Sequence, residues 1–349
     1  MPAKPSSMQM GNIRVLTVDD SSFVRKALKR IFEAEHGIEL VGEARSGREA
    51  LEKIASLRPD VITLDVMMPE MDGIETLRAI MDAHPTPVLM LSQLTRDGAE
   101  LTLRALEMGA MDFVDKSSTG MMDFFDLARE IIAKVRSIAA GRPMRIAQGD
   151  RQLCRDGGTR GIVDVVAIGA STGGPLALSM ILPKFPREIT FSILIVQHMP
   201  RGFTAPLAAR LAAASEITVR EAEEGDVLSP GVALIAPAGL HMFLRRDEEG
   251  HKVQLDMEPV EEIHRPSVDV LFRSVGEQAG ERSMGVLLTG MGSDGVKGMR
   301  VIKEKGGYTI AQNEATSAIY GMPRVAIEAN IVDRVLPVTA IAGEILRRA

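Results

Sequence analysis

Tryptophan is absent from this chain of 349 residues, tyrosine occurs only twice and cysteine only once. A single cysteine, Cys154, excludes an intrachain disulfide and is typical of a protein from a reducing compartment. Cys154 lies among arginine, aspartate and glycine without an apolar flank, which disfavours it as a catalytic nucleophile. With so few aromatic residues, the cores must be built from aliphatic side chains and the 21 methionines.

An excess of positive charge and long apolar runs are also missing. The net charge of −6 and the lack of a basic helix argue against a protein that binds nucleic acid. No run of about 18 apolar residues is present to span a membrane. Residues 1–11 also lack the apolar core of a signal peptide. We therefore expect a cytoplasmic protein that does not insert into a membrane.

Strand-like and helix-like segments alternate along most of the chain. Between residues 12 and 140 they form five βα units, which predict a parallel sheet with helices on both faces. Residues 141–161 are rich in arginine and glycine and predict a polar linker. The alternation resumes in residues 162–349, where it predicts a doubly wound, mainly parallel α/β domain. One antiparallel hairpin is expected there, with the alternating apolar residues from Val253 to Met257 facing the core.

Carboxylates follow two predicted strands of the first domain. Asp19 and Asp20 come after one strand, and Asp65 comes after another. Because the carboxyl ends of parallel strands share one edge of a sheet, we expect these three acids to converge. Close carboxylates repel one another unless a cation is present, and Mg²⁺ prefers oxygen ligands. With Ser92 and Lys116 after two further strands, they predict a phosphoryl-accepting site; helix capping is the alternative for Asp19 or Asp20 alone.

Residues 12–140 resemble the receiver domain of bacterial response regulators. The resemblance rests on Val-Asp-Asp-Ser at 18–21, Leu-Asp-Val-Met-Met-Pro-Glu-Met-Asp-Gly at 64–73, Ser92 and Lys116. It implies a flavodoxin-like (βα)5 fold in which a histidine kinase phosphorylates Asp65. Asp20, Asp65 and the Met67 carbonyl would hold Mg²⁺, with Asp19 in the outer shell. Ser92, Phe113 and Lys116 would relay the phosphorylated state. Ser117 stands where the family usually has proline, which puts the local loop geometry in doubt.

A lone serine follows the buried strand predicted at Val165–Ile168. Residues 169–173 have the Gly-x-Ser-x-Gly spacing, in which flanking glycines allow a sharp strand-to-helix turn with an exposed hydroxyl. Ser171 is therefore the candidate nucleophile of an acyl-transfer site. The same turn is compatible with a nucleotide phosphate. That interpretation is weaker, because the Gly-x-Gly-x-x-Gly spacing and an acid about 20 residues further on are missing.

A serine nucleophile needs a base within reach. His198 follows the buried strand at 192–197, so we expect it at the same sheet edge as Ser171. A satisfied core histidine is the alternative for His198. His241 and His264 are candidates for lining a substrate groove, with capping and surface roles as alternatives.

The base in turn needs an orienting carboxylate, and the oxyanion needs donors. Asp294 follows a predicted strand at 285–289 in a turn with three glycines, which leaves Met291 and its neighbours free to present N–H groups. The alternative for Asp294 is to cap the helix predicted at 296–305. The order serine, histidine, aspartate differs from that of the α/β-hydrolases, which disfavours that superfamily but not the chemistry.

Four motifs of the second domain look like those of the chemotaxis protein-glutamate methylesterases (CheB). They are Gly-Ala-Ser-Thr-Gly-Gly at 169–174, Gln-His-Met-Pro at 197–200, His-Arg-Pro-Ser-Val-Asp at 264–269 and Thr-Gly-Met-Gly-Ser-Asp-Gly at 289–295. The resemblance implies an esterase without a cofactor in its active site. It uses Ser171 as nucleophile, His198 as base, Asp294 as orienting group and the Met291 N–H as oxyanion donor.

The same resemblance implies a substrate and a switch. The enzyme would hydrolyse glutamyl methyl esters, and deamidate glutamines, on the cytoplasmic helices of chemoreceptors during chemotactic adaptation. The chemotaxis histidine kinase would be the phosphodonor, and phosphorylation of the receiver would relieve inhibition of the esterase. A non-enzymatic response regulator, whose output domain binds a partner or a nucleotide, is the alternative from a different class.

Overall fold

A computed structural model describes residues 12–93, 95–116, 121–141, 163–248 and 250–349 of the chain. Cys154, Ser117, residues 1–11 and nearly all of the predicted linker lie outside the described residues. Two compact units are present: Met1–Gln93 with Phe113–Ala140, and Leu94–Asp112 with Gly141–Ala349. No helix of the described residues is both long enough and apolar enough to cross a membrane.

Strands and helices alternate up to residue 140, as the sequence predicts. The strands are β1 (Ile13–Val18), β2 (Ile38–Ala44), β3 (Val61–Asp65), β4 (Val88–Ser92) and β5 (Asp112–Asp115), and the helices are α1 (Ser22–Glu33), α2 (Gly47–Leu57), α3 (Gly73–Ala83), α4 (Arg96–Glu107) and α5 (Met121–Ala140). The sheet order β2-β1-β3-β4-β5 is that of flavodoxin-like folds. The pairs β1–β2, β1–β3 and β3–β4 are parallel.

Burial and capping explain why these segments form these elements. Every residue of the inner strands β3 and β4 is buried, which matches their nearly continuous apolar sequences. The side chains of Ser21, Ser46 and Asp72 accept hydrogen bonds from the first turns of α1, α2 and α3. Helix α3 begins at Gly73, where a Cβ would lie 2.2 Å from the Asp65 carbonyl oxygen. Only glycine lets this helix start so close to the end of β3.

From residue 165 onward, within the second unit, strands and helices again alternate. The strands are β6 (Val165–Ala170), β7 (Ser192–Gln197), β8 (Thr218–Glu221), β9 (Val232–Ile235), β10 (His241–Asp247), β11 (Gly250–Asp256), β12 (Ser283–Leu287), β13 (Tyr308–Gln312) and β14 (Arg334–Leu336), and the helices are α6 (Gly174–Ile181), α7 (Thr204–Ala214), α8 (Val268–Ala279), α9 (Val296–Glu304), α10 (Met322–Glu328) and α11 (Val338–Arg348). Seven strands form a parallel sheet in the order β14-β13-β12-β6-β7-β9-β8. The predicted hairpin, β10–β11, is a separate antiparallel pair.

The centre of the large sheet is the best-buried part of this unit. All residues of β6, β7 and β12 are buried, and side chains from α8 and the hairpin pack against this centre in one cluster. Val253 is buried and Leu255 packs against the cluster, as predicted. The prediction that Met257 also faces the core is wrong, because β11 ends at Asp256 and the Met257 side chain is 51% exposed.

Candidate active site

Ser171 and His198 lie at the ends of neighbouring strands. The last residue pair between β6 and β7 is Ala170 with Gln197, so each of the two candidate residues follows its strand directly. The Ser171 N–H donates to the Thr289 carbonyl oxygen and the His198 N–H to the Ala170 carbonyl oxygen, both at 3.0 Å. The sheet itself therefore sets where the predicted nucleophile and base stand. From β6 the chain first adds β7 on one side and later adds β12 on the other, so the strand order reverses at β6. Open α/β sheets bind ligands outside the carboxyl ends of the strands at such a point.

The turn after Ser171 requires glycine at two positions. Gly173 has a φ of +77°, and a Cβ there would lie 2.5 Å from the Ala318 Cβ. At Gly174, the first residue of α6, a Cβ would lie 2.0 Å from the Gln197 Oε1 atom. The first contact explains the last glycine of the Gly-x-Ser-x-Gly spacing, and the second explains the glycine that follows it, where the backbone packs against the end of β7.

His198 is paired with Asp294, which follows the adjacent strand β12. The distance from His198 Nε2 to Asp294 Oδ2 is 2.8 Å, and the side chains are only 9% and 10% exposed. Three residues at the start of α8 also donate to this carboxylate. Ser267 donates through its Oγ at 3.0 Å, and Val268 and Asp269 donate through their N–H groups, both at 2.8 Å. The amino end of α8 thus holds the negative charge.

These contacts determine the ionisation of Asp294. Burial alone would raise the pKa of its carboxyl group. The hydrogen bond and charge of His198, with the N–H groups of Asp269 and Val268, instead hold the pKa well below its usual range. The alternative role predicted from the sequence, a cap on α9, is wrong. The N-cap residue of α9 is Gly295, which makes no side-chain hydrogen bond to that helix. The Asp294 carboxylate instead accepts from N–H groups at the amino end of α8.

An ionised Asp294 fixes the tautomer of His198. A carboxylate accepts hydrogen bonds only, so His198 Nε2 must carry the proton and donate it. In the neutral ring, Nδ1 is then a bare acceptor. Nδ1 is buried and has no hydrogen-bond partner among the described residues. The well-studied serine proteases place the carboxylate at Nδ1 and the serine at Nε2, so this imidazole is presented the other way round.

The two further candidate histidines lie on either side of this pair. The His264 ring stacks on the His198 ring with centroids 4.1 Å apart and planes inclined by 22°. His241 is fully buried, and its Nε2 donates to the Pro259 carbonyl oxygen at 3.1 Å while its Nδ1 accepts the Ser267 N–H at 3.2 Å. Burial lowers the pKa of His241, so the ring stays neutral. His241 is therefore a core residue that supports Ser267, whereas His264 borders the active site.

The turn that carries Met291 passes directly against the nucleophile. A Cβ on Gly290 would lie 2.8 Å from the Ser171 Cβ. The Gly290 N–H donates to the Ile319 carbonyl oxygen, and its own carbonyl accepts from Gly321 and Met322, which fixes this turn. The residue directly before Met291 thus packs against the Ser171 side chain.

The carboxylates predicted to bind Mg²⁺ do converge. One ligand oxygen from each of Asp19, Asp20 and Asp65 lies within 4.8 Å of the others. Lys116 Nζ lies 2.6 Å from Asp65 Oδ2 and 3.0 Å from Asp19 Oδ2. Burial raises the pKa of Asp65 to about 6, with Asp19 adding to the rise and Lys116 opposing it. Two buried acids beside an exposed one suit a hard cation that keeps part of its water shell.

The remaining predicted receiver residues lie in or directly after strands of the same sheet. The Met67 N–H donates to Asp65 Oδ1 at 3.2 Å, so the backbone at Met67 lies beside the acids. Ser92 is buried at the end of β4. Phe113 is buried within β5, and its carbonyl oxygen accepts from Lys134 at 2.5 Å.

Both halves of the chain match models of known protein families. The CheB methylesterase model matches residues 166–345, and the response regulator receiver domain model matches residues 15–122. The chain belongs to the CheB methylesterase family. A protein-glutamate methylesterase/protein-glutamine glutaminase of Geobacillus kaustophilus is 45% identical over 97% of this chain and 99% of its own length. One of Pyrococcus abyssi, with the same name, is 46% identical over 96% and 93%.

A solved structure of the family agrees with the second fold. The crystal structure of the Thermotoga maritima CheB methylesterase catalytic domain is 40% identical to this chain, with a TM-score of 0.53. It covers 54% of this chain and 99% of its own chain. The predicted α/β class, the receiver and the CheB-type second domain are confirmed.

Two residues that build this CheB-family site are not predicted by the sequence analysis. Ser267 caps α8, since its Oγ accepts from the Val270 N–H, and it also donates to Asp294. Gln197 was noticed only within a motif, yet its side chain contacts the backbone of both Ser171 and His198. A buried polar residue at a strand end is the only signal in the sequence that could have drawn attention to it.

Proposed function

We propose that this chain hydrolyses glutamyl methyl esters and deamidates glutamines on the cytoplasmic helices of chemoreceptors, under control of phosphorylation at Asp65. The observation that carries the proposal is the pairing of His198 Nε2 with an ionised Asp294, one strand end away from Ser171. Core packing alone gives no reason for a buried imidazole with a bare nitrogen at this sheet edge. The family names of the relatives supply the substrate class.

The proposed mechanism begins with His198 as general base. Its Nδ1 takes the proton from the Ser171 hydroxyl as Oγ forms a bond to the ester carbonyl carbon. The N–H of Met291 stabilises the negative oxygen; the N–H of Thr172, directly after the nucleophile, is the second donor expected of such turns. Asp294 stabilises the imidazolium.

Collapse of this intermediate completes the exchange. The carbon–methoxy bond breaks, and the proton on Nδ1 passes to the departing oxygen to give methanol. Water then attacks the acyl-enzyme with Nδ1 again as base, releasing glutamate and restoring Ser171. For a glutamine side chain the same steps release ammonia. The hydrogen bond from Ser171 Oγ to Nδ1 is not formed among the described residues, as is common before substrate binds.

The non-enzymatic alternative predicts that Ser171, His198 and Asp294 lie apart and only cap helices. The geometry disfavours it, because Ser171 and His198 follow paired strands and His198 bonds to Asp294.

Methanol release from a methyl-esterified chemoreceptor fragment tests the proposal. We expect the full chain to release methanol from this fragment and none from a fragment with free glutamates at the same sites, because only the ester has a methoxy leaving group. Gas chromatography of the headspace measures the product. Hydrolysis of small esters without release from the receptor would indicate a general esterase. No hydrolysis of either would return the second domain to a binding role.

For the receiver, we propose that the Asp65 carboxylate attacks the phosphorus of a kinase phosphohistidine. The new oxygen–phosphorus bond forms as the nitrogen–phosphorus bond breaks. Asp20, Asp65 and the Met67 carbonyl would hold Mg²⁺, which when bound offsets the charge of the phosphoryl oxygens. Lys116, already 2.6 Å from Asp65, would pair with the phosphoryl group and report its presence through Ser92 and Phe113.

Asp65→Asn should abolish activation without changing basal activity. In the unsubstituted chain, Mg²⁺ and acetyl phosphate should raise methanol release by roughly 5- to 150-fold, the usual range of coupling between sites. The variant lacks the acceptor oxygen and should show no rise. Asp82→Asn, which changes an exposed carboxylate on α3, is the matched control and should respond fully.

Inhibition by the receiver has its own test. Residues 163–349 should be as fast without phosphate as the full chain is with it, and the separately solved Thermotoga maritima domain supports making this fragment. A fragment no faster than the unphosphorylated full chain would contradict inhibition.

The proposal also includes domain limits at 12–140 and 162–349 with a linker at 141–161, a chemotaxis kinase as phosphodonor, and a cytoplasmic location.

A further inference from the structure

Gln197 occupies a position that the proposed mechanism does not use. It is the last residue of β7, and its side chain is only 2% exposed. The amide nitrogen Nε2 lies 2.9 Å from the Ser171 carbonyl oxygen and 2.9 Å from the His198 carbonyl oxygen. One NH₂ group therefore binds the backbone of the predicted nucleophile and of the predicted base.

The backbone alone leaves both carbonyls without a strand partner. Ser171 and His198 lie one residue beyond the last pair of the β6–β7 ladder. The His198 N–H still bonds to Ala170 of β6, and the Ser171 N–H bonds to Thr289, just beyond β12. The chain turns away after each of them, and Gln197 supplies the donors at that point. Ser171 O also accepts the Gly174 N–H at 2.8 Å, so this carbonyl is held from two sides.

The orientation of the amide follows from its surroundings. Turning it over would place Oε1 against two carbonyl oxygens, which offer it no donor, and would take the Nε2 donor away from both of them. As it stands, Oε1 is buried without a hydrogen-bond partner among the described residues and faces the first residue of α6. A buried acceptor without a hydrogen bond is unfavourable. The two hydrogen bonds of Nε2 offset this cost.

We propose that Gln197 is a positioning residue, which sets the separation of the Ser171 hydroxyl from the His198 imidazole by binding both backbones. The inference rests on the proposed function, because it assigns these two residues to one reaction. A hydroxyl and a base misplaced by about 1 Å lose roughly 100-fold in rate, even when both groups are intact. Gln197 touches neither substrate nor the reacting atoms, so its effect must appear in the rate of acylation.

Labelling of Ser171 by a fluorophosphonate measures that rate without a receptor substrate. The full chain should be labelled, and peptide mass spectrometry should place the label on Ser171. Gln197→Met, which keeps the length of the side chain but removes the NH₂ donors, should be labelled about 10- to 100-fold more slowly. With methylated receptor, kcat should fall by the same factor and KM should stay within about twofold.

Thr309→Val is the matched control for lost buried hydrogen bonds. The Thr309 hydroxyl donates to the Ile331 carbonyl oxygen at 2.7 Å and accepts the Asp333 N–H at 3.0 Å, near the amino end of β13 and hence at the opposite sheet edge. This variant should be labelled within about threefold of the unsubstituted rate, although it loses comparable bonds.

A second variant keeps the inference testable if Gln197→Met does not fold. Gln197→Glu offers one donor when the buried acid is protonated and only repulsion when it is ionised. The labelling rate of this variant relative to the unsubstituted chain should therefore fall as pH rises, which a merely structural role would not produce. A flat ratio, or Gln197→Met labelled within threefold of the unsubstituted chain, would overturn the positioning role. An unsubstituted chain that is not labelled at Ser171 would overturn the proposed function itself.

Discussion

Replacing Ser171 with alanine should lower kcat for glutamyl methyl ester hydrolysis by about a million-fold. The substitution removes the only atom that forms a bond to the substrate and leaves His198, Asp294 and the backbone donors in place. Residual catalysis of about 10³ to 10⁴ over water should remain from oxyanion stabilisation and binding. Methanol release under saturating methylated receptor measures the loss.

The helix that follows the nucleophile offers a control for this substitution. Ser179 lies on α6, and within the part of the chain that the structure describes its hydroxyl donates only to the Leu176 carbonyl oxygen of the same helix, at 2.8 Å. Ser179→Ala should therefore change kcat by less than about twofold while altering the chain by the same single oxygen atom. A Ser171→Ala variant that loses less than about tenfold would remove Ser171 from the mechanism.

Asp294→Asn should lower kcat by about 10⁴-fold, the cost of a wrong histidine tautomer in a triad. The Oδ2 atom now accepts from His198 Nε2 and the Val268 N–H, whereas Oδ1 accepts from Ser267 Oγ and the Asp269 N–H. An amide whose oxygen stays with Ser267 and Asp269 turns its NH₂ group toward His198, and the Val268 N–H loses its acceptor. Nε2 must then accept, so the proton moves to Nδ1 and the base is blocked.

Nitrogen-15 NMR of the imidazole tests this explanation directly. Neutral His198 should carry its proton on Nε2 in the unsubstituted chain and on Nδ1 in the variant. Asp333→Asn is the control, because Asp333 also accepts a backbone N–H, from Thr309 at 3.0 Å, but belongs to the opposite sheet edge. An unchanged tautomer after Asp294→Asn would contradict the assignment of Nδ1 as the base.

The inner strands could be predicted from the sequence because burial on both faces forces a continuous apolar run. Strand β6, for example, begins at the predicted residue, Val165. The edge strands β8 and β14 could not, since four and three residues that are partly exposed carry no such signal. Met257 was misjudged for a related reason: an alternating pattern does not show where a strand stops.

The sequence predicts which residues come together in the candidate site, because each of them follows a strand. Ser171, His198 and Asp294 each follow a buried run, and parallel strands bring such ends to one edge. Which side chain meets which was not predictable, because the amino end of α8 reaches Asp294 from a segment 26 residues earlier in the chain. The stacking of His264 on His198 likewise depends on the path of a loop without regular periodicity.

The order of strands in the large sheet has a consequence for biosynthesis. Strands β6, β7 and β12 are neighbours in space, but His198 and Asp294 are 96 residues apart in the chain. A nascent polypeptide that has emerged only as far as the β10–β11 hairpin already presents the serine and the imidazole, but neither the carboxylate nor the Met291 turn. On the proposed function, a chain that ends at the hairpin should therefore release no methanol from methylated receptor, because Asp294 and the Met291 turn belong to the residues that follow.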